Sequence, residues 1–192
     1  MMGSGKTSLA FLHLQHTPAA ARFIFDDTGQ ASARLKRPLA GTLAQLNAAL
    51  KTRWVLFNPH ILFPGELDKG FRFFCRYVMA AAEQGPGKKI FLADEIWRFC
   101  DRKGIPKELA TIAQMGRAYG VELVTATQRP HLLNDAITGS ATEIVCFRLQ
   151  ESIHLRKIQT MDCDAAAVAA LPLGSFISFN PLTGSQQRGR LF

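Results

Sequence analysis

The chain lacks any apolar run approaching the length of a membrane span. The segment Gly3-Ser4-Gly5-Lys6-Thr7 occupies the N-terminus where a secretory signal would need its apolar region. A soluble, intracellular protein without a membrane span is expected. Cysteine is sparse: Cys75, Cys100, Cys146 and Cys163 lie far apart with no C-x-x-C pair. That spacing indicates neither a zinc site nor a disulfide framework, and all four read as small buried apolar residues. Internal repeats, low-complexity tracts and linkers are also missing, so 192 residues at 47% hydrophobic content fit one globular domain with an ample core. Acidic charge is short as well. The 15 Asp and Glu against 23 Lys and Arg leave a formal charge of +8, which favours an anionic partner, nucleic acid first.

What is present starts at the first residues. Gly3-Ser4-Gly5-Lys6-Thr7 is the phosphate-gripping end of a P-loop, G-x-x-x-x-G-K-[ST], followed by Ser8 at the start of a helix running from Lys6 to about Gln15. Glycine lets backbone N–H groups close on phosphate oxygens, and the helix aims its positive end at them. Gly3, Ser4, Gly5, Lys6, Thr7 and Ser8 are therefore the candidate ATP contacts. Lys6 is assigned to the β- and γ-phosphates and Thr7 to Mg²⁺. Met1, Met2, Gly3 and Ser4 fill the four variable positions. The loop's first glycine and the strand feeding it would then precede Met1, and the chain is read as N-terminally truncated with its first strand missing.

Downstream, apolar strands alternate with helices. Strands are expected at 22–26, 53–57, 89–94, 121–126, 143–149 and 175–180, and helices at 43–50, 67–84, 105–119, 132–137, 152–158 and 164–171. The pattern predicts an α/β, three-layer P-loop fold with a mainly parallel sheet, its ligand at the carboxyl ends of the strands. Residues 1–183 form this core, and 184–192 read as a mobile basic tail.

Ile90-Phe91-Leu92-Ala93-Asp94-Glu95 is an apolar strand running into two carboxylates. Asp94 can hold the Mg²⁺ that Thr7 touches, and Glu95 can orient and deprotonate an attacking water. The next strand ends Thr125-Ala126-Thr127-Gln128-Arg129-Pro130, where an amide at Gln128 can meet the γ-phosphate or the water. Taken alone, that segment reads better as an ordinary loop entry.

Together these segments resemble the FtsK–HerA superfamily of DNA-pumping ATPases. The shared features are GSGKT, the strand ending in Asp94-Glu95, and Gly116-Arg117-Ala118-Tyr119-Gly120-Val121 leading to Ala126-Thr127-Gln128-Arg129-Pro130. The likeness continues through Phe147 to Arg156 and Leu173 to Phe176. A compact core of this size is most similar to the genome-packaging ATPases of tailless icosahedral viruses with double-jelly-roll capsids. The resemblance implies ATP and Mg²⁺ as cofactors and a homo-oligomeric ring, usually a hexamer. It also implies action at a capsid vertex or in the host cytoplasm, and an arginine supplied across the subunit interface. An arginine suits that role because a planar guanidinium neutralises charge spreading over a transferring phosphoryl group; Arg156 sits where the FtsK-like pattern places it and ranks first, then Arg117 and Arg148. DNA contact is expected through phosphates, with Arg98, Arg102, Lys103 and Lys107 beyond Glu95 as the leading surface.

Three other readings compete. A filamentous-phage assembly ATPase related to Zot has a similar core but usually adds a membrane span. A small-molecule kinase should carry an arginine-rich lid, which is not seen, and a non-catalytic assembly subunit would not need intact Lys6, Thr7, Asp94 and Glu95.

Overall fold

A computed structural model describes residues 5–191. The order is α1 (Lys6–His16), β1 (Ala21–Phe25), α2 (Gln30–Leu35), α3 (Leu43–Lys51), β2 (Trp54–Phe57), α4 (Leu67–Glu83), β3 (Lys89–Ala93), α5 (Lys107–Met115) and β4 (Val121–Thr125). After these come α6 (Asp135–Gly139), β5 (Ile144–Phe147), α7 (Ser152–Gln159), α8 (Ala165–Ala169), β6 (Ser175–Phe179) and β7 (Gln186–Arg190).

The first four strands form a parallel sheet in the order β2-β1-β3-β4. Their side chains alternate between two buried faces, so the strands read as continuous apolar runs. Phe23, Phe25, Val55, Phe57, Phe91 and Ala93 face α3, α4 and α5, where Phe71, Phe74 and Val78 complete the larger core. Ile24, Leu56, Ile90 and Leu92 face α1 and α2, meeting Ala10, Phe11, Leu14 and Ala31. The three expected layers are present, and β3, buried at every position, lies inside the sheet with its tip fixed in register: Ala93 pairs with Phe25 on one side and Thr125 on the other.

The second sheet is antiparallel, in the order β5-β6-β7. It covers a smaller cluster of Cys146, Ile158, Cys163, Val168, Ile177 and Phe179. All four cysteines are free and buried, as their spacing led us to expect. Residues 186–190, expected as part of a mobile tail, instead form β7, whose register sets Gly189 opposite Phe176. A Cβ at Gly189 would fall 2.3 Å from the Phe176 ring. Only glycine leaves room for the ring to lie across the strand. The helix expected over 132–137 is split into a 3₁₀ turn at Pro130–Leu132 and α6, because Asn134 caps the Ala136 N–H and starts the helix there. The helix expected over 105–119 is α5 followed by a 3₁₀ turn at Gly116–Tyr119.

Candidate nucleotide site

Among the predicted contacts, Gly3 and Ser4 lie outside the described residues. Gly5 is the N-cap of α1, with φ 101° and no side-chain cap. A Cβ there would be strained and would lie 2.7 Å from Leu191 and 2.9 Å from Phe147. Glycine is required twice over, by conformation and by space. The first turn of α1 carries no acidic residue of its own, and a helix N-terminus suits an anion. Lys6 is half-buried in that turn, and Ser8 follows on the same helix.

The tip of β3 meets this helix. Thr7 Oγ1 donates to Asp94 Oδ2 at 3.1 Å, and the Glu95 N–H donates to Asp94 Oδ1 at 2.8 Å. Burial pushes the Asp94 carboxyl upward, against those two hydrogen bonds and Lys6, while Glu95 adds to the rise. Burial pushes the Lys6 ammonium downward, against the pull of Glu95 and Asp94. In both groups burial disfavours the charged form. The Thr7 hydroxyl and Asp94 carboxylate are a pair of hard oxygen donors. That pair fits Mg²⁺, which keeps waters and substrate phosphate oxygens as its remaining ligands. Among the described residues no group of three or more His, Cys, Asp or Glu could hold a metal alone.

Glu95 follows with φ 48° and ψ 47°, a left-handed conformation rare outside glycine. Its Oε2 accepts from the indole N–H of Trp97 at 2.7 Å and from the Gln128 backbone N–H at 3.2 Å. Gln128 thus reaches Glu95 through its backbone, while its exposed side chain remains at the β4 tip. Arg129 lies over the Trp97 ring, 4.7 Å from its centroid. Sequence reasoning missed Trp97. The only signal was an aromatic residue two places beyond a carboxylate, in a turn with no periodicity.

The structure separates the predicted cations. Arg98 turns back to Asp27 at the β1 tip, with Nη2 at 2.8 Å from Oδ2, whereas Arg102 and Lys103 are exposed on the following loop and Lys107 is exposed at the start of α5. Asp101 orders that loop by accepting the Lys103 and Gly104 N–H groups, and Asn134 donates to the Asp101 carbonyl. Arg156 is exposed on α7, its Nε 3.4 Å from the Ser152 carbonyl. Arg117 is exposed in the 3₁₀ turn before β4. It stands at the opposite end of β4 from Gln128, and that strand alone is about 16 Å long at 3.3 Å per residue. It therefore does not share the site of its own chain.

The same architecture is found in solved proteins. The genome packaging NTPase B204 of Sulfolobus turreted icosahedral virus 2, in complex with AMPPCP, superposes with a TM-score of 0.74 at 18% identity, covering 100% of this chain and 94% of that one. Its sulfate complex also gives 0.74 at 18%, covering 100% and 92%. B204 of Sulfolobus turreted icosahedral virus, described as a DNA-packaging ATPase, gives 0.70 at 17%, covering 99% and 93%. The chain has the fold of these packaging NTPases. The α/β fold with a mainly parallel sheet expected from the sequence is borne out. In sequence, the chain is 28% identical over 131 residues to the ESX secretion system protein EccC of Geobacillus thermodenitrificans, covering 67% of this chain and 8% of that protein's length. No protein-family profile matches the chain. Among the described residues no helix is long and apolar enough to cross a membrane.

Proposed function

We propose that the chain hydrolyses ATP and uses the energy to move DNA through a ring of its own copies, packaging a viral genome into a preformed capsid. The observation that carries this reading is the Thr7–Asp94 contact with Glu95 beside it, at the open end of α1. The α1 N-terminus and Lys6 bind the phosphates, and Thr7 and Asp94 hold Mg²⁺. A Mg²⁺ held by Thr7 and Asp94 would supply charge neutralisation for the phosphates. Glu95 orients a water for in-line attack on the γ-phosphorus and takes its proton as the bond to the bridging oxygen breaks and ADP leaves. A carboxylate in this position separates hydrolysis from simple nucleotide binding.

The fold likeness to packaging NTPases supports DNA as the substrate that is moved, and the excess of Lys and Arg supports a polyanionic partner. The exposed Arg102, Lys103 and Lys107 meet phosphates, which suits a motor that must move any sequence. Arg156 serves the neighbouring subunit's site in a ring, with a hexamer favoured, at a capsid vertex.

The test is ATP turnover with and without DNA of unrelated sequences, in wild type and Glu95→Gln. Wild type should be stimulated equally by all sequences. The variant should lose about 10²–10⁴-fold in turnover while still binding a fluorescent ATP analogue. Wild-type turnover in Glu95→Gln would remove Glu95 from the reaction and overturn the reading.

A further inference from the structure

Glu95 occupies a backbone conformation that a glutamate adopts only when its surroundings hold it there. Two donors do the holding, the Trp97 indole at 2.7 Å and the Gln128 backbone N–H at 3.2 Å, and both address Oε2. Neither addresses Oε1. The indole N–H is a donor with no acceptor capacity, so a half-buried tryptophan in this turn has one polar demand to satisfy. It satisfies it on the carboxylate.

The ring itself is fixed from several sides. Ile96, before it, is fully buried, and Arg98, after it, is paired to Asp27 at the β1 tip. Arg129 lies across its face. One edge of the indole therefore touches Glu95 at the β3 tip, and one face touches Arg129 in the loop after β4. The backbone beyond it runs through Phe99 and Cys100 into exposed Arg102 and Lys103. A displacement of that loop reaches Glu95 through Trp97 without passing through the nucleotide.

We propose that Trp97 is a positioning residue for Glu95, fixing the carboxylate through Oε2 and linking it to Arg129 and to the basic loop 101–107. The proposal rests on the reading of Glu95 as the group that activates water. It adds a residue that neither GSGKT nor Asp94-Glu95 points to.

Trp97→Phe keeps an aromatic face for Arg129 and removes the N–H donor together with the second ring. Its kcat should fall on the order of tenfold, the scale of one hydrogen bond to a charged group. KM for ATP should stay unchanged, because the phosphate contacts are elsewhere. Trp97→His restores a ring donor and should recover part of the loss. A second measurement does not depend on turnover. The chain has two tryptophans, so in Trp54→Phe a single indole N–H resonance remains. Removing the acceptor with Glu95→Ala should move it upfield.

An unmoved resonance overturns the contact. Unchanged kcat in Trp97→Phe, or an equal fall in Trp97→His, overturns the positioning role and leaves only packing. Absence of ATP turnover in wild type instead overturns the hydrolase reading, and the positioning role with it. The indole shift then still reports whether the two side chains meet.

Discussion

The two sheets of this molecule are built on different terms. The parallel sheet buries both faces beneath helices, and its larger core is an aromatic cluster in which Phe74 lies within 6.4 Å, centroid to centroid, of Phe23, Phe25, Phe57, Phe91 and Tyr77. The antiparallel sheet buries one smaller cluster, and every residue of β7 except Gly189 is exposed. The first arrangement resists displacement, because shifting a strand by one residue would exchange two packed faces. That rigidity suits the residues at the tips of β3 and β4, which must hold Thr7, Asp94, Glu95 and Trp97 within hydrogen-bond distance. The second arrangement tolerates exposure, and it is where Arg156, Arg188 and Arg190 occur. We read the parallel half as carrying the chemistry of a subunit and the C-terminal half as carrying what one subunit offers to others.

The largest expected effect tests that division directly. Arg156→Ala should reduce turnover on the order of 10³-fold, the lower end of what a trans-acting arginine contributes to phosphoryl transfer. Nucleotide binding by the variant should be unchanged. Mixing it with Lys6→Ala, itself inactive, should restore part of the activity, since each variant lends the other its intact element across an interface. Titrating the ratio while following phosphate release measures this. No recovery at any ratio would return Arg156 to its own helix, where Ser152 already accepts from it.

A stability comparison at matched chemistry comes next. Phe74 is fully buried and Phe179 is 4% exposed in the smaller cluster. Phe74→Ala should cost close to 5 kcal/mol and Phe179→Ala close to 3 kcal/mol, opposite ends of the roughly 3–5 kcal/mol span for such truncations. The aromatic cluster surrounding Phe74 has less freedom to collapse into the void. Denaturant unfolding of both variants checks the order. Equal costs would mean that the two halves are equally well packed and that the contrast lies in composition alone.

The same contrast decides what was legible in the sequence. Strands buried on both faces announce themselves as apolar runs, and β1 to β4 fall within one residue of where those runs end. The meeting of Thr7 with Asp94 was likewise foreseeable, because both were singled out by residue type and strand position. Gln-Gln-Arg-Gly-Arg was not legible as β7, since its partner is the Phe176 ring lying over Gly189, a fact of three dimensions. Gln30–Leu35 was missed because a six-residue helix with only Ala31 buried has no period to detect. The backbone N–H of Gln128 and the indole of Trp97 meet Glu95 only after β3 and β4 have paired. Conversely, Arg98 was grouped with Arg102 and Lys103 by spacing, and its pairing with Asp27 becomes visible only when β1 and β3 lie side by side.

The smallest expected effect lies inside the rigid half. Asp94 has its carboxyl raised chiefly by burial, so its charged form is disfavoured by folding. The sign follows from linkage: a carboxyl raised in the folded state contributes fully below its unfolded value, and that contribution is lost as pH rises through the folded value. At neutral pH, without ligand, the charge therefore works against the fold. Asp94→Asn keeps an oxygen for the Thr7 hydroxyl and removes the charge, so it should raise the melting temperature of the ligand-free protein. The gap to wild type should close as pH falls below the ordinary carboxylate range, where wild-type Asp94 is itself neutral. On the proposed role of Asp94 in holding Mg²⁺, Mg²⁺ and ATP should stabilise wild type more than the variant. A variant less stable than wild type at neutral pH would mean that the carboxylate is held by its hydrogen bonds more strongly than burial disfavours it. The active-site end of the parallel sheet would then be as free of stored cost as the strands beneath it.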